Sequence, residues 1–241
     1  MILSICILVG VAALIIFLSR NQRKVNAEFR EELERRLGGN TGWPTELWEQ
    51  EHRKLLHPHL VRGDTSFPVT GTVAGHPVVS FRCEHSKEKT RPTVTLGLKT
   101  TTTTWSYTGA AVLDVDPTVP YLDIFRPGSI WEAGFQGKSI EPLQFPCGDA
   151  NIEQYFATYS DETARASRLI TPAFKSALFD LHNLDPEGQP SPRIRIKDGV
   201  LMCWVGGVDT RQGKFSELLE LLAALTDAVN AAVRADRRTA G

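Results

Sequence analysis

The sequence has few cysteines, little net charge and only one long apolar run, and each shortage excludes a class of protein. Four cysteines in 241 residues are too few for a disulfide scaffold. With 27 basic residues against 28 acidic ones, bulk positive charge cannot drive nucleic-acid binding. A polytopic membrane protein would need several long apolar runs. The remaining composition, 41% hydrophobic and 23% charged, is that of an ordinary globular protein.

The familiar signatures of catalysis and metal binding are missing too. The chain has no Gly-rich phosphate loop, paired-cysteine metal motif, nucleophile elbow or His-Glu-x-x-His helix. His52, His57 and His59 lie in and after a short helix predicted from Thr45 to His57, and their spacing fits no metal site. We therefore predict no catalytic residue, no metal ligand and no cofactor.

One short motif supports an alternative. In Cys83-Glu84-His85 a thiol and an imidazole stand two residues apart, so on a strand they share a face, as a nucleophile and its base would. No third group orients them. Cys203, in contrast, is predicted to be a core residue, and the wide spacing of the cysteines favours unpaired thiols in a reducing compartment.

Residues 2–18, ILSICILVGVAALIIFL, form the long apolar run, which is interrupted only by Ser4 and Gly10. As a helix this run would be about 26 Å long, close to the ~30 Å hydrocarbon core of a bilayer. A cleaved secretory signal would have a basic start, a shorter apolar stretch and a small-residue cleavage site, and all three are absent. We predict a transmembrane helix in residues 1–19.

The charges beside this segment predict its orientation. Arg20, Arg23 and Lys24 follow it, and basic residues favour the cytoplasmic side of a membrane. The rest of the chain is therefore predicted to be cytoplasmic, at the cell membrane. From Val25 onward it has 24 basic and 28 acidic residues, a net charge of −4. An anionic leaflet would repel this acidic body while holding the basic flank.

Residues 20–65 are predicted to form a juxtamembrane helical stalk and a linker. A single apolar stripe recurs every four residues: Val25, Phe29, Leu33 and Leu37. Glu31 with Arg35, and Glu32 with Arg36, have the spacing of helical ion pairs, and Gly38 should end the helix. So narrow a stripe is compatible with three roles: pairing with another chain, contact with lipid headgroups, or a solvated spacer.

Residues 66–241 are predicted to form an α+β domain. Its first half shows the alternation of short strands, predicted at Val69–Val73, Pro77–Cys83, Arg91–Lys99, Ala110–Val115, Tyr121–Phe125 and Ser139–Phe145. The threonine run 100–104 is typical of a half-buried strand, and Asp114 and Asp116 precede a turn at Pro117. Strands with no helices between them predict an antiparallel meander, one face of which must be covered.

The cover is predicted from helices late in the chain. Ser160 is predicted to cap a short helix, and Thr171-Pro172 to start a second. The apolar face of the second helix is Phe174, Ala177, Leu178 and Leu181. A final helix repeats apolar residues at Phe215, Leu218, Leu222, Leu225, Val229 and Val233.

Asp198-Gly199 between two alternating segments specifies a two-residue hairpin turn. Counting back from the turn pairs Ile196 with Leu201 and Ile194 with Cys203 on the buried face. On the other face Arg195 pairs with Met202 and Arg193 with Trp204, and the latter two are predicted to form a cation–π contact.

Three stretches together resemble uncharacterised bacterial membrane-anchored proteins with a C-terminal α+β domain. They are the aromatic run Ile152–Asp161, Leu169-Ile170-Thr171-Pro172, and the hairpin Ile194–Leu201. The resemblance spans about residues 66–235 and implies a membrane location, an aromatic strand, a helix start, a hairpin and a final helix. It implies no catalytic residues.

These observations predict a single-pass membrane protein whose cytoplasmic domain is an interaction or scaffolding module. Its partners would be the bilayer, through residues 2–18, and a protein partner or a second copy of itself, but no nucleic acid. The alternative is a membrane-anchored enzyme with an unrecognised site near Cys83 and His85. Gene deletion and substitution of both residues would separate the two.

Overall fold

The computed structural model of the protein describes residues 20, 24, 27–28, 30–45, 64–92, 98–129, 143–184, 192–206 and 214–240. Within these ranges no helix is both long enough and apolar enough to cross a bilayer. The predicted membrane helix lies outside them, as do the short helix predicted after Thr45 and the predicted strand residues 139–142. The described residues do not test these three predictions.

The described residues form an antiparallel sheet of nine strands with helices packed on it, so the predicted α+β class is confirmed. The strands are β1 (Asn40–Thr41), β2 (Asp64–Val73), β3 (His76–Pro92), β4 (Leu98–Val112), β5 (Leu122–Phe125), β6 (Leu143–Phe145), β7 (Ala157–Ser160), β8 (Arg193–Lys197) and β9 (Val200–Val205). The helices are α1 (30–37), α2 (Ala150–Glu153), α3 (Thr163–Leu169), α4 (Pro172–Leu184) and α5 (Lys214–Ala240).

The strand order is β1-β2-β3-β4-β9-β8-β5-β7-β6. Strands β2, β3 and β4 form the start of the predicted meander, β1 adds an unpredicted strand beside β2, and β4 and β5 are not neighbours. The late hairpin β8–β9 lies between them, with β9 on β4 and β8 on β5. The prediction of one continuous meander was wrong because the chain pattern does not show which strand edge a later hairpin will occupy.

The predicted strand Arg91–Lys99 was also wrong. Arg91 and Pro92 end β3, Leu98 and Lys99 begin β4, and Arg91 lies opposite Lys99. The chain therefore reverses direction within the predicted strand. Alternation of apolar and polar residues continued across the reversal and concealed it.

The hairpin β8–β9 has the predicted register, with Ile194 opposite Cys203 and Arg193 opposite Trp204. Asp198 and Gly199 have φ values of 52° and 77°, as a two-residue turn with both central residues left-handed requires.

Helices α4 and α5 cover one face of the sheet. The predicted apolar residues of α4 are buried, as are Phe215, Leu218, Leu222, Leu225, Val229 and Val233 of α5. Thr171 caps α4, since its Oγ1 accepts a bond from Phe174 N at 3.3 Å. Ser160 has a different role from the predicted cap. It ends β7, and its Oγ donates to Tyr121 O at 2.6 Å and accepts from Glu162 N at 3.1 Å, while the N-cap of α3 is Glu162 and the helix begins at Thr163.

In the aromatic run that carries the resemblance, only Ala157–Ser160 is strand, and Ile152 belongs to α2. The helix start, the hairpin and the final helix that the resemblance implied are all present.

The opposite face of the sheet is buried as well, contrary to the expectation of a single covered face. A second cluster there includes Phe81, Tyr107, Met202 and Trp204, each no more than 1% exposed. The sheet centre is thus buried on both sides, which explains why β9 is apolar throughout.

Helix α1 ends against the sheet rather than standing apart. Leu33 and Leu37 are buried in the same core as α4 and α5, and β1 then pairs with β2. Glu32 pairs with Arg36 as predicted, but Arg35 bonds Glu32 instead of Glu31. Two glycines permit this close approach: a Cβ at Gly39 would lie 1.4 Å from Thr70 O, and a Cβ at Gly71 would lie 2.3 Å from Leu37 O. Residues 30–41 therefore pack with the body, ahead of the boundary predicted at 66.

Candidate functional site

Three charged side chains meet in the interior of the sheet, where β5 pairs with β8. Asp123 lies directly opposite Arg195, with Arg193 two residues along the same strand. Arg193 holds both carboxylate oxygens, through Nε to Oδ1 at 2.8 Å and Nη2 to Oδ2 at 2.5 Å. Arg195 donates from Nε and Nη2 to Oδ2, both at 3.1 Å, and the Tyr121 hydroxyl donates to Oδ2 at 2.8 Å. We call Asp123, Arg193 and Arg195 the buried triad.

Burial alone would raise the pKa of the Asp123 carboxyl, but the two adjacent guanidinium groups outweigh it and hold that pKa below its ordinary value. The carboxylate is therefore ionised. Burial also raises the pKa of the Tyr121 phenol, so its hydroxyl keeps its proton as a donor. Arg193 lies over the rings of Phe125 and Trp204, at 5.2 and 5.9 Å, and the second contact is the predicted cation–π pair.

The triad has the properties of a structural element rather than a reaction centre. All three side chains have essentially no solvent exposure, and the Asp123 oxygens already accept five hydrogen bonds from three neighbours. One atom is left over: Arg195 Nη1 is buried and makes no hydrogen bond to any described residue. The arrangement joins β5 to β8 and offers a ligand no access.

Cys83, Cys147 and Cys203 are buried and form no disulfide within the described part of the chain. Cys83 and Cys203 are fully enclosed, and burial raises the pKa of both thiols well above the ordinary value. Cys83 lies within β3 rather than at a strand end, opposite Tyr107. At such a position the thiol stays protonated and is a poor nucleophile. His85 lies opposite Trp105 in the β3–β4 ladder.

A second group of titratable residues lies at the surface, where the turn between β2 and β3 meets α5. His76 Nδ1 is 2.8 Å from Asp114 Oδ2, and Nε2 is 3.3 Å from Asp227 Oδ1. Nearby, Asp116 accepts bonds from Thr118 at 2.7 and 2.9 Å, which makes the turn predicted after Asp116. No set of three or more His, Cys, Asp or Glu side chains in the described part of the chain is arranged to hold a metal ion.

An open groove of about 520 Å³ runs between α4 and α5. Asp180, Glu217 and Glu220 line its rim, and Leu184 and Leu221 contribute apolar surface. Its carboxylates exclude an anionic ligand, and no other observation indicates an occupant.

The outer part of the β3–β4 hairpin extends past the pairings that these two strands make with the other described strands. Beyond Glu84, which pairs with Asp64, and Thr108, which pairs with Val205, eight further residue pairs join β3 to β4 alone among the described strands. These pairs run from His85–Trp105 to Pro92–Leu98. At about 3.3 Å per residue this two-stranded ribbon extends about 26 Å. We call residues 85–92 and 98–105 the arm.

Charge is segregated between the two faces of the arm. The register places Lys87 opposite Thr103, Lys89 opposite Thr101 and Arg91 opposite Lys99. All four cations therefore share one face, because directly opposed residues and alternate residues of a strand lie on the same side. Glu88 lies on the other face, opposite Thr102.

Sequence reasoning missed both the triad and the arm. Asp123 in the apolar strand Leu122–Phe125 was one signal, since an acidic residue in a buried strand requires a partner. The alternate arginines of β8 were the other. The threonine run 100–104 predicts a strand, but its pairing with the cationic residues of β3 depends on a register that the sequence does not specify.

Comparison with known proteins adds little. No family model matches the chain, and neither does any curated protein. Among solved structures, the crystal structure of the mycobacterial trehalose monomycolate transport factor A, TtfA, is similar at a TM-score of 0.49 and 11% identity, over 83% of this chain and 92% of that one. A likeness this distant carries no information on what this chain binds.

Proposed function

We propose that the protein is a membrane-tethered interaction module, with residues 2–18 as its anchor and the arm as its working surface. The body is cytoplasmic in this proposal, on the side where Arg20, Arg23 and Lys24 would be retained.

The observation that carries the proposal is the arm itself. An isolated two-stranded ribbon is only marginally stable in water, and its open edges invite unwanted pairing. Eight residue pairs beyond the last pairing with β2 are more than the sheet needs to close its core. Segregation of four cations on one face gives the extension a surface of defined chemistry.

The alternative, an enzyme with a site near Cys83 and His85, lacks a comparable observation. The thiol is buried and its pKa is raised, which opposes the thiolate that nucleophilic catalysis requires. Substitution of both residues in cells that show a phenotype on gene deletion tests it. Loss of the phenotype-rescuing activity in the double variant, with normal protein levels, would favour the enzyme.

The proposal is tested by site-specific photo-crosslinking in intact cells. A photoreactive residue replaces Thr101 on the basic face of the arm, or Ala231 at an exposed position of α5 as the matched control. We expect a distinct crosslinked product, to protein or to lipid, from position 101 only. Equal patterns from both positions would contradict the arm as the working surface.

The orientation is tested separately. A reporter fused after Gly241 should be active only if the carboxyl terminus is cytoplasmic. Activity of a reporter that works solely outside the cytoplasm would overturn the predicted topology without affecting the assignment of the arm.

A further inference from the structure

We infer that the basic face of the arm docks on an anionic membrane surface, which deepens the proposed function and rests on it. The four cations of this face are Lys87, Lys89, Arg91 and Lys99. The register brings the last two directly opposite each other and places Lys89 and Lys87 at successive same-face positions along β3.

The spacing of these residues suits a surface better than a pocket. Same-face neighbours on one strand are about 6.6 Å apart, and directly opposed residues about 5 Å apart. The Cα positions of Lys87, Lys89 and Arg91 thus span about 13 Å along β3, and Lys99 is paired with Arg91 at the outer end. Opposite the two lysines lie Thr101 and Thr103, so every residue that faces Lys87, Lys89 or Arg91 across the ribbon is a threonine or a further cation.

Charge elsewhere in the chain makes this face distinctive. The chain from Val25 onward has a net charge of −4, so an anionic leaflet repels the body as a whole. The acidic groove between α4 and α5 adds to that repulsion on its own side. An arm with a basic face would therefore be drawn to the leaflet that repels the rest of the chain.

The predicted tether favours lipid over other polyanions. A chain anchored through residues 2–18 keeps the arm near one leaflet, so that docking is effectively intramolecular and needs little intrinsic affinity. An acidic protein or a nucleic acid would have no such advantage. For a juxtamembrane basic residue the attraction to an anionic leaflet corresponds to about a fivefold change in partition per charge.

The test uses the full chain reconstituted in vesicles. A fluorescent amino acid at Thr101 serves as donor and a headgroup-labelled lipid as acceptor, in vesicles of phosphatidylcholine alone or with 30% phosphatidylglycerol. We expect higher energy transfer in the anionic vesicles, and a return to the neutral-vesicle value in 0.5 M salt, where the screening length falls to about 4 Å.

Two quadruple variants of equal charge change complete the design. K87Q/K89Q/R91Q/K99Q should abolish the dependence on anionic lipid, whereas R126Q/K214Q/R234Q/R238Q, which neutralises cations of the body, should preserve it. Equal energy transfer in neutral and anionic vesicles, or equal behaviour of the two variants, would overturn the inference.

Failure of the membrane-docking inference would be distinguishable from failure of the proposed function. A protein crosslinked specifically from position 101, with no response to anionic lipid, would keep the arm as the working surface and replace the membrane by an acidic protein partner. Absence of both signals would remove the proposed function as well.

Discussion

In the body of the protein Arg193 and Arg195 lie in the interior and share one carboxylate, whereas in the arm the cations follow one face of two strands that extend beyond the other described strands. A buried cation requires a fixed partner because desolvation otherwise makes its charge too costly. The cationic residues of the arm lie in residue pairs that, among the described strands, join only β3 and β4. The comparison separates two buried arginines that stabilise the fold through a fixed partner from a group of cationic positions that we propose for binding.

The largest expected effect comes from breaking the triad. Asp123→Asn leaves two buried guanidinium groups without their counter-charge, and we expect the free energy of unfolding to fall by about 3–5 kcal/mol. Asp227→Asn, at a carboxylate that is 69% exposed, is the matched control and should change it by less than about 1 kcal/mol. Urea denaturation followed by tryptophan fluorescence measures both. Similar losses in the two variants would show that the triad does not stabilise the body.

The two arginines of the triad should contribute unequally to the free energy of unfolding. Arg193 contacts both carboxylate oxygens, while Arg195 contacts one and has an Nη1 atom that bonds no residue in the described ranges. Because the bidentate pair is the stronger, Arg193→Met should lower the free energy of unfolding by about 1–2 kcal/mol more than Arg195→Met. The same denaturation experiment ranks them, and the reverse order would contradict the geometry.

Acid should reduce the contribution of the triad. The pKa of Asp123 is lower in the folded protein than in the unfolded chain, where it is about 3.9. The stabilisation is therefore complete above that unfolded value and is lost as the pH falls through the folded one. We expect the difference in unfolding free energy between wild type and Asp123→Asn to be constant from pH 7 to about pH 5 and to narrow below about pH 4. A difference that widens with acid would mean that Asp123 is neutral in the folded state.

The smallest expected effect comes from the surface cluster of His76, Asp114 and Asp227. His76→Gln removes the contacts to Asp114 and Asp227 while keeping a polar side chain of similar size. Because both carboxylates are substantially exposed, we expect a loss of no more than about 1 kcal/mol in the free energy of unfolding. A loss as large as that of Asp123→Asn would show that this cluster stabilises the fold as strongly as the buried triad does.

Much of the fold could be predicted because the sequence specifies local geometry strongly in several places. Asp198-Gly199 determines the turn and, by counting, every pair of the β8–β9 hairpin. Thr171-Pro172 determines the start of α4.

What could not be predicted depends on contacts between distant segments. The insertion of β8–β9 between β4 and β5 leaves no local signature, and neither does the burial of Leu33 and Leu37 against the sheet. The triad follows from that insertion, since it brings Asp123 opposite Arg195 across 72 residues of sequence. The arm was missed because its register, not its composition, places the four cations on one face.

The most direct test of the central claim measures the free energy of unfolding and the crosslinking from position 101 in the same variants. K87Q/K89Q/R91Q/K99Q and R126Q/K214Q/R234Q/R238Q each carry the photoreactive residue at Thr101 in intact cells, and their unfolding is followed after purification. If the cations of the arm serve binding, the arm variant keeps the free energy of unfolding of the wild type within about 0.5 kcal/mol but loses the crosslinked product, while the body variant keeps both. Crosslinking that persists in the arm variant would contradict the account.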